Sequence, residues 1–159
     1  MDNRLKLVTI LSNAASAIVN LLTNGNMEAG DPPSSWTALN SATLDSAADE
    51  RTGGSGAACL SVANGAAAAG YAQQAIAASP GQEITVTAYV RRVNTNPLVS
   101  IVDGSGILAT SATYSSTSWG QVTVTATLVS GTPGVRLRNT NSTLGLESRF
   151  DDVIAYVSG

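Results

Sequence analysis

Two hydrophobic patterns divide the chain. Leu7, Leu11, Ala14, Ile18 and Leu21 recur at intervals of four, three, four and three residues, the spacing of a single helix face. After residue 30 the period changes to two. In "EITVTAYVRRV" (83–93) Ile84, Val86, Ala88 and Val90 alternate with Thr85, Thr87, Tyr89 and Arg91. Val122, Val124, Ala126 and Leu128 do the same in "GQVTVTATLVS" (120–130). Such alternation gives each strand one core face and one open face. "AACLSVA" (57–63), "PLVSIVD" (97–103), "GVRLRNT" (134–140) and "SRFDDVIAYVS" (148–158) also read as strands, with Gly-, Pro- and Asn-rich turns between them. "GAAAAGYAQQAIAA" (65–78) is ambiguous: its alanines favour helix, but its neighbours call for a strand, assigned from about Tyr71. Short strands at this spacing predict an all-β fold, a jelly-roll β-sandwich over residues 20–159, preceded by a short N-terminal α-helix over residues 1–19.

The helix has Asp2 or Asn3 as a cap and ends near Val19 or Asn20, where Thr23-Asn24-Gly25 begins turn chemistry. It is about 25 Å long. A lone helix of that length is marginal in water, so its stripe must be covered. It packs either on its own domain or against copies of itself or a partner. The β body reads as self-sufficient, which favours the second. The expectation is an oligomerisation or attachment helix, with Leu7, Leu11, Ala14 and Ile18 in the seam of a homotrimer. Arg4 and Lys6, "LVTIL" and "AASA" have the order of a signal peptide, but the apolar run is short and Asn13 interrupts it. No apolar run approaches the ~20 residues of a membrane span.

Composition removes several function classes. The chain has no histidine, which removes the commonest general base and the usual zinc sites. Charged residues make up 12% and the net charge is −3; one lysine and seven scattered arginines make no nucleic-acid surface. Cys59 is alone and sits in an apolar run, so it reads as a buried core residue. The carboxylate pairs Asp49-Glu50 and Asp151-Asp152 are adjacent in sequence. On a strand the two members of a pair point to opposite faces, so neither pair suits acid/base hydrolysis. No phosphate-binding loop or dinucleotide fingerprint is present, and the sequence predicts no enzyme.

Five stretches, in order, resemble one family. "NLLTNGNMEAGDPPSSW" (20–36) is similar to an opening "N-L-L-x-N-G-x-F-E-x-G" followed by Trp, with Met27 where Phe is usual. "GAACLSV" (56–62) is similar to "G-x-x-S-L-x-V". "QAIAASPGQEITVTAYVR" (74–91), "SWGQVTVTATL" (118–128) and "FDDVIAYV" (150–157) complete the series. Together they resemble the family 4 and family 9 carbohydrate-binding modules, within the galactose-binding-like jelly rolls.

The resemblance implies two things. One is a structural calcium ion near the two chain ends, held by Glu28 of the opening motif and by Asp151 or Asp152 of the closing one, with carbonyls from residues 52–55. The other is a glycan surface, for which Tyr71, Gln74, Tyr89, Arg91 and Tyr114 are the candidates. Trp36 and Trp119 match positions that are more often core than sugar platform. Modules of this type are also borrowed by bacteriophage capsid and tail proteins. Together with the helix, this gives the expected function: a non-enzymatic virion protein, a capsid decoration (cement) or head-fibre protein on the capsid surface. Its partners would be itself and other virion proteins, with glycans as a further ligand. The alternative is a secreted, extracellular carbohydrate-binding module working beside a glycoside hydrolase.

Overall fold

The computed structural model describes residues 18–48 and 51–159. Among these residues ten antiparallel strands form two five-stranded sheets. Sheet I has the order β1-β4-β9-β6-β7, with β1 (Thr37–Leu39), β4 (Tyr71–Ala75), β9 (Gly134–Asn139), β6 (Pro97–Asp103) and β7 (Gly106–Thr110). Sheet II has the order β2-β3-β10-β5-β8, with β2 (Ala42–Ala47), β3 (Cys59–Asn64), β10 (Glu147–Val157), β5 (Glu83–Arg92) and β8 (Gly120–Thr127). This is the expected all-β jelly-roll sandwich. All six strands read from the sequence are present, as is the strand beginning at Tyr71. β1, β2 and β7 are additional; each is short or polar, and β1, β2 and β7 lie at sheet edges, where alternation is weak.

The core lies between the sheets. Ile84, Val86, Ala88 and Val90 of β5 are fully buried, as the alternation requires. They meet Val99 and Ile101 of β6 and Val135 and Leu137 of β9 in one cluster with Phe150 and Leu60. Each fully buried Val, Ile, Leu or Phe contributes roughly 1.5–3 kcal/mol. Cys59 is buried and free, as expected. Trp36 is buried, and its Nε1–H donates to Asn24 O at 3.2 Å. Trp119 is only half-buried, on the outer side of sheet II, so its expected core position is corrected.

The opening motif shapes the chain. Asn20 accepts from the Ala155 N–H at 2.9 Å and donates to Val153 O at 3.1 Å, which docks the entering segment on β10. Gly25 lies so close to Val153 O that a Cβ there would collide with it, which explains the glycine. Asn24, at φ 52°, spans the following loop, accepting from Ala29 N–H and donating to Ala29 O and Ser34 O. Met27 is fully buried in the core, where the resembled family carries Phe.

The expected helix, with Leu7, Leu11 and Ala14, lies outside the described residues. Its last part is described: residues 18–20 have no regular structure, so the helix does not reach Val19 or Asn20, and Ile18 is 67% exposed. Asn20 is committed to β10 instead, which ends any helical register there. Among the described residues no helix is long and apolar enough to cross a membrane.

Candidate functional site

The outer face of sheet I is built by its register. One row crosses all five strands: Thr37, Gln73, Arg136, Ser100 and Thr110 stand opposite one another. The adjacent row is Leu39, Tyr71, Arg138 and Leu98. Val135, Leu137 and Asn139 are fully buried, so Arg136 and Arg138, which alternate with them, point outward. The side chains are linked. Arg136 Nε–H donates to Gln73 Oε1 at 2.6 Å, and its guanidinium lies over the Tyr71 ring, 4.6 Å from the centroid. The hydroxyls of Ser100 and Thr110 are 2.9 Å apart. The result is a polar platform of two half-buried cations, one aromatic ring, one amide and the exposed hydroxyls of Thr37 and Thr110, with Ser100 fully buried beneath it.

Tyr71 therefore lies on an open face, but Gln74 does not. Its neighbours in register are Val135 and Ile101, and only 8% of it is exposed. Its amide clasps the entering segment: Oε1 accepts from Thr23 N–H at 2.6 Å and Nε2–H donates to Thr23 O at 2.9 Å. Gln73 occupies the open position, one residue earlier. A shift of one residue exchanges the faces of a strand. Arg136 and Arg138 were missed; the alternation in "GVRLRN" is the signal that reveals them.

Tyr89 and Arg91 belong to the other sheet. With Arg51, Thr52, Thr117, Ser118 and Trp119 they line a cleft of about 470 Å³. The Arg51 guanidinium stacks on Tyr89, 3.5 Å from its centroid, and pairs with Asp152. Tyr114 is in the loop before β8; its hydroxyl donates to Ser118 O at 2.8 Å and its ring packs against Gly120. The five sequence candidates thus fall in four places and form no single site.

The acidic candidates gather round the loop 51–58. A β-bulge in β10 between Asp151 and Ile154 puts Asp152 at φ 44° and turns its carboxylate to Arg51 and Ser55. Glu28 accepts from Ala57 N–H at 3.1 Å and Ala58 N–H at 2.9 Å, with Gly56 packed directly against its carboxyl. Asp151 is 2% exposed, and its Oδ2 faces Gly54. Burial first, then the charges of Asp152 and Glu28, push its carboxyl up to about 6 against the opposing influence of Asp152 N–H and Arg51. No three His, Cys, Asp or Glu side chains among the described residues form a common metal-binding group. The donor set can offer a cation the buried Asp151 carboxylate, the Glu28 carboxylate that already accepts from the Ala57 and Ala58 N–H groups, and backbone carbonyls of the turn. It does not fit three carboxylates, because Asp152 is committed to Arg51 and Ser55.

Asp103 is a carboxylate with a purely structural environment. It accepts from Ser105 Oγ–H at 2.6 Å and from the N–H groups of Val129 and Ser130, both at 2.8 Å. The Ser105 hydroxyl, and then these N–H groups, hold it well below the usual carboxylate range.

Solved structures share this architecture. The chain is similar to the CBM22-1 xylan-binding domain from Paenibacillus barcinonensis Xyn10C, at 17% identity over 91% of this chain and 97% of that domain, with a TM-score of 0.69. It is also similar to a family 16 carbohydrate-binding module, at 15% identity over 86% of this chain and 99% of that one, with a TM-score of 0.63. A third similar structure is the enzymatically active domain of bacteriophage CBA120 tailspike protein 4, at 18% identity and a TM-score of 0.64. The match covers 87% of this chain but only 21% of the tailspike chain. No family profile matches the sequence, and no curated protein does. At these identities the likeness is one of fold: a jelly roll of the carbohydrate-binding-module type.

Proposed function

We propose that the protein is a non-enzymatic glycan-binding module that serves as a virion structural component, with the outer face of sheet I as its binding surface. The observation that carries the glycan reading is the linked Tyr71–Arg136–Gln73 cluster with Arg138 beside it. It forms a fixed row of hydrogen-bonding groups across an open sheet, the kind of surface that recognises a hydroxyl-rich chain. The virion role, as a capsid decoration or fibre protein assembled as a homotrimer through the N-terminal segment, is supported by fold-level likeness to a tailspike domain and by the helical spacing of Leu7, Leu11 and Ala14 in the sequence. The alternative is a secreted module beside a glycoside hydrolase. It is supported by the 97% coverage of a xylan-binding domain of Xyn10C.

A structural calcium ion held by Glu28, Asp151 and carbonyls of residues 52–55 is part of this proposal. When bound, it would supply charge compensation for the buried Asp151 and fix the turn at Gly54. Asp152 acts from behind by anchoring Arg51 and Ser55.

A glycan array together with native mass measurement tests the reading. Glycan binding and a trimer that becomes monomeric on deletion of residues 1–19 are the expected results. A trimer without glycan binding would remove the sheet I reading, and a glycan-binding monomer would favour the secreted alternative.

A further inference from the structure

We infer that the sheet I face selects anionic saccharides, taking carboxylate- or sulfate-bearing sugar units in preference to neutral ones. The inference rests on the reading of that face as the glycan site and names the chemistry of its ligand.

Charge balance is the first argument. The chain carries a net charge of −3, yet the only carboxylate in the five strands of sheet I is Asp103, at the far end of β6. That carboxylate is already taken by Ser105, Val129 and Ser130. Arg136 and Arg138 make no ion pair with a described residue, whereas Arg51 pairs with Asp152 and Arg149 with Glu147. Two neighbouring cations on an acidic protein, with no acidic partner among the described residues, form a local positive patch.

Geometry is the second. Arg136 and Arg138 lie two residues apart on one strand, roughly 7 Å from Cα to Cα, so two guanidinium forks project side by side. A guanidinium fork matches the planar pair of oxygens of a carboxylate and the oxygens of a sulfate. Arg136 is already held: Gln73 takes its Nε–H and Tyr71 lies beneath its plane. Its terminal nitrogens have no hydrogen bond to a described residue. Prior immobilisation reduces the entropy lost when a ligand is ordered.

The aromatic ring gives the third argument. A bare ring on a sheet favours stacking of a neutral sugar. The Tyr71 ring is covered by a cation, so the platform presents charge where stacking would otherwise occur.

The test is titration calorimetry of the full chain with three oligosaccharides of similar length: an oligogalacturonide, a sulfated oligosaccharide and xylohexaose. Single-stranded DNA of matched charge serves as the control. One anionic saccharide is expected to bind about tenfold tighter than xylohexaose. Its affinity should fall as salt rises from about 0.05 to about 0.5 M. Preference for the uronate or for the sulfate identifies the group recognised; either supports the inference. Arg138→Gln should weaken that binding about fivefold or more with an unchanged melting temperature, and Arg138→Lys should fall between. Equal or tighter binding of xylohexaose would overturn the inference and leave the glycan reading standing. Failure of all three saccharides to bind would overturn both. Equal affinity for DNA would show charge alone at work, and undiminished binding in both Arg138→Gln and Arg136→Gln would place the site elsewhere; either result overturns the inference.

Discussion

The two outer faces of the sandwich use the same residue types to opposite ends. On sheet II, Arg149 donates to Glu147 at 3.0 Å, Glu147 also accepts from Ser61 at 2.8 Å, and Arg51 joins Tyr89 to Asp152. Arg91 also has a partner. Arg51 is consumed in holding the loop 51–58 to the β10 bulge, and Arg149 in pairing with Glu147 along β10. On sheet I an arginine again covers a tyrosine, but no acid completes the pair. A matched cation is a structural part, while an unmatched one on a preorganised platform is available to a ligand. Arg51–Tyr89 and Arg136–Tyr71 look alike as stacks, and their neighbours distinguish them.

The largest effects should come from breaking the matched face. Arg51→Ala removes the partner of Asp152 and the cover on Tyr89, and should lower stability by about 2–3 kcal/mol in urea denaturation, because one half-buried charge loses its counterpart. A loss under about 0.5 kcal/mol would mean that the pair is a surface ornament.

Calcium sharpens the same region. At ~100 times its dissociation constant the ion should add about 2.7 kcal/mol, and EDTA should lower the melting temperature. Glu28→Ala and Asp151→Asn should each abolish the calcium response. In the metal-free protein the raised pKa of Asp151 fixes the sign of a pH effect. The folded state holds the proton more tightly than the unfolded one, so this contribution is fully present below about 4 and is lost as pH rises through about 6. The loss should be of order 1–3 kcal/mol and absent in Asp151→Asn. A melting temperature indifferent to both EDTA and pH would contradict this account of the acidic cluster.

The neighbouring glutamines compare the two sides of one strand. Gln74→Ala loses two hydrogen bonds to the Thr23 backbone and should destabilise by about 1–2 kcal/mol with no effect on ligand affinity. Gln73→Ala should change stability by less than about 0.5 kcal/mol and weaken binding by releasing Arg136. The reverse pattern would exchange their roles.

That pair also shows what the sequence reveals. The strands with strong alternation, β5 and β8, are legible because burial of Ile84, Val86 and Val124 enforces a period of two. The edge strands β1 and β2 are not, because "SSWTALNSATLD" carries few apolar side chains to alternate. Tyr71 is legible as a site candidate by residue type. Its partners are not, because Gln73 and Arg136 join it through register between strands more than 60 residues apart in sequence, and register is not written in either strand alone. Gln74 faces inward, and Gln73, one residue earlier, holds the open position. The acidic residues are legible through the resemblance of the opening and closing motifs, but the bulge that diverts Asp152 to Arg51 is a property of the folded β10.

The smallest stability effect belongs to the unmatched face: Arg138→Gln should alter unfolding free energy by less than about 0.5 kcal/mol. The central claim is that ligand meets sheet I, and chemical-shift mapping during titration with an oligogalacturonide and with xylohexaose tests it most directly. The account predicts that the largest shifts fall on Tyr71, Gln73, Arg136 and Arg138, with Tyr89, Arg91 and Trp119 unmoved. Shifts confined to Tyr89, Arg91 and Trp119 would place binding in the sheet II cleft and contradict it.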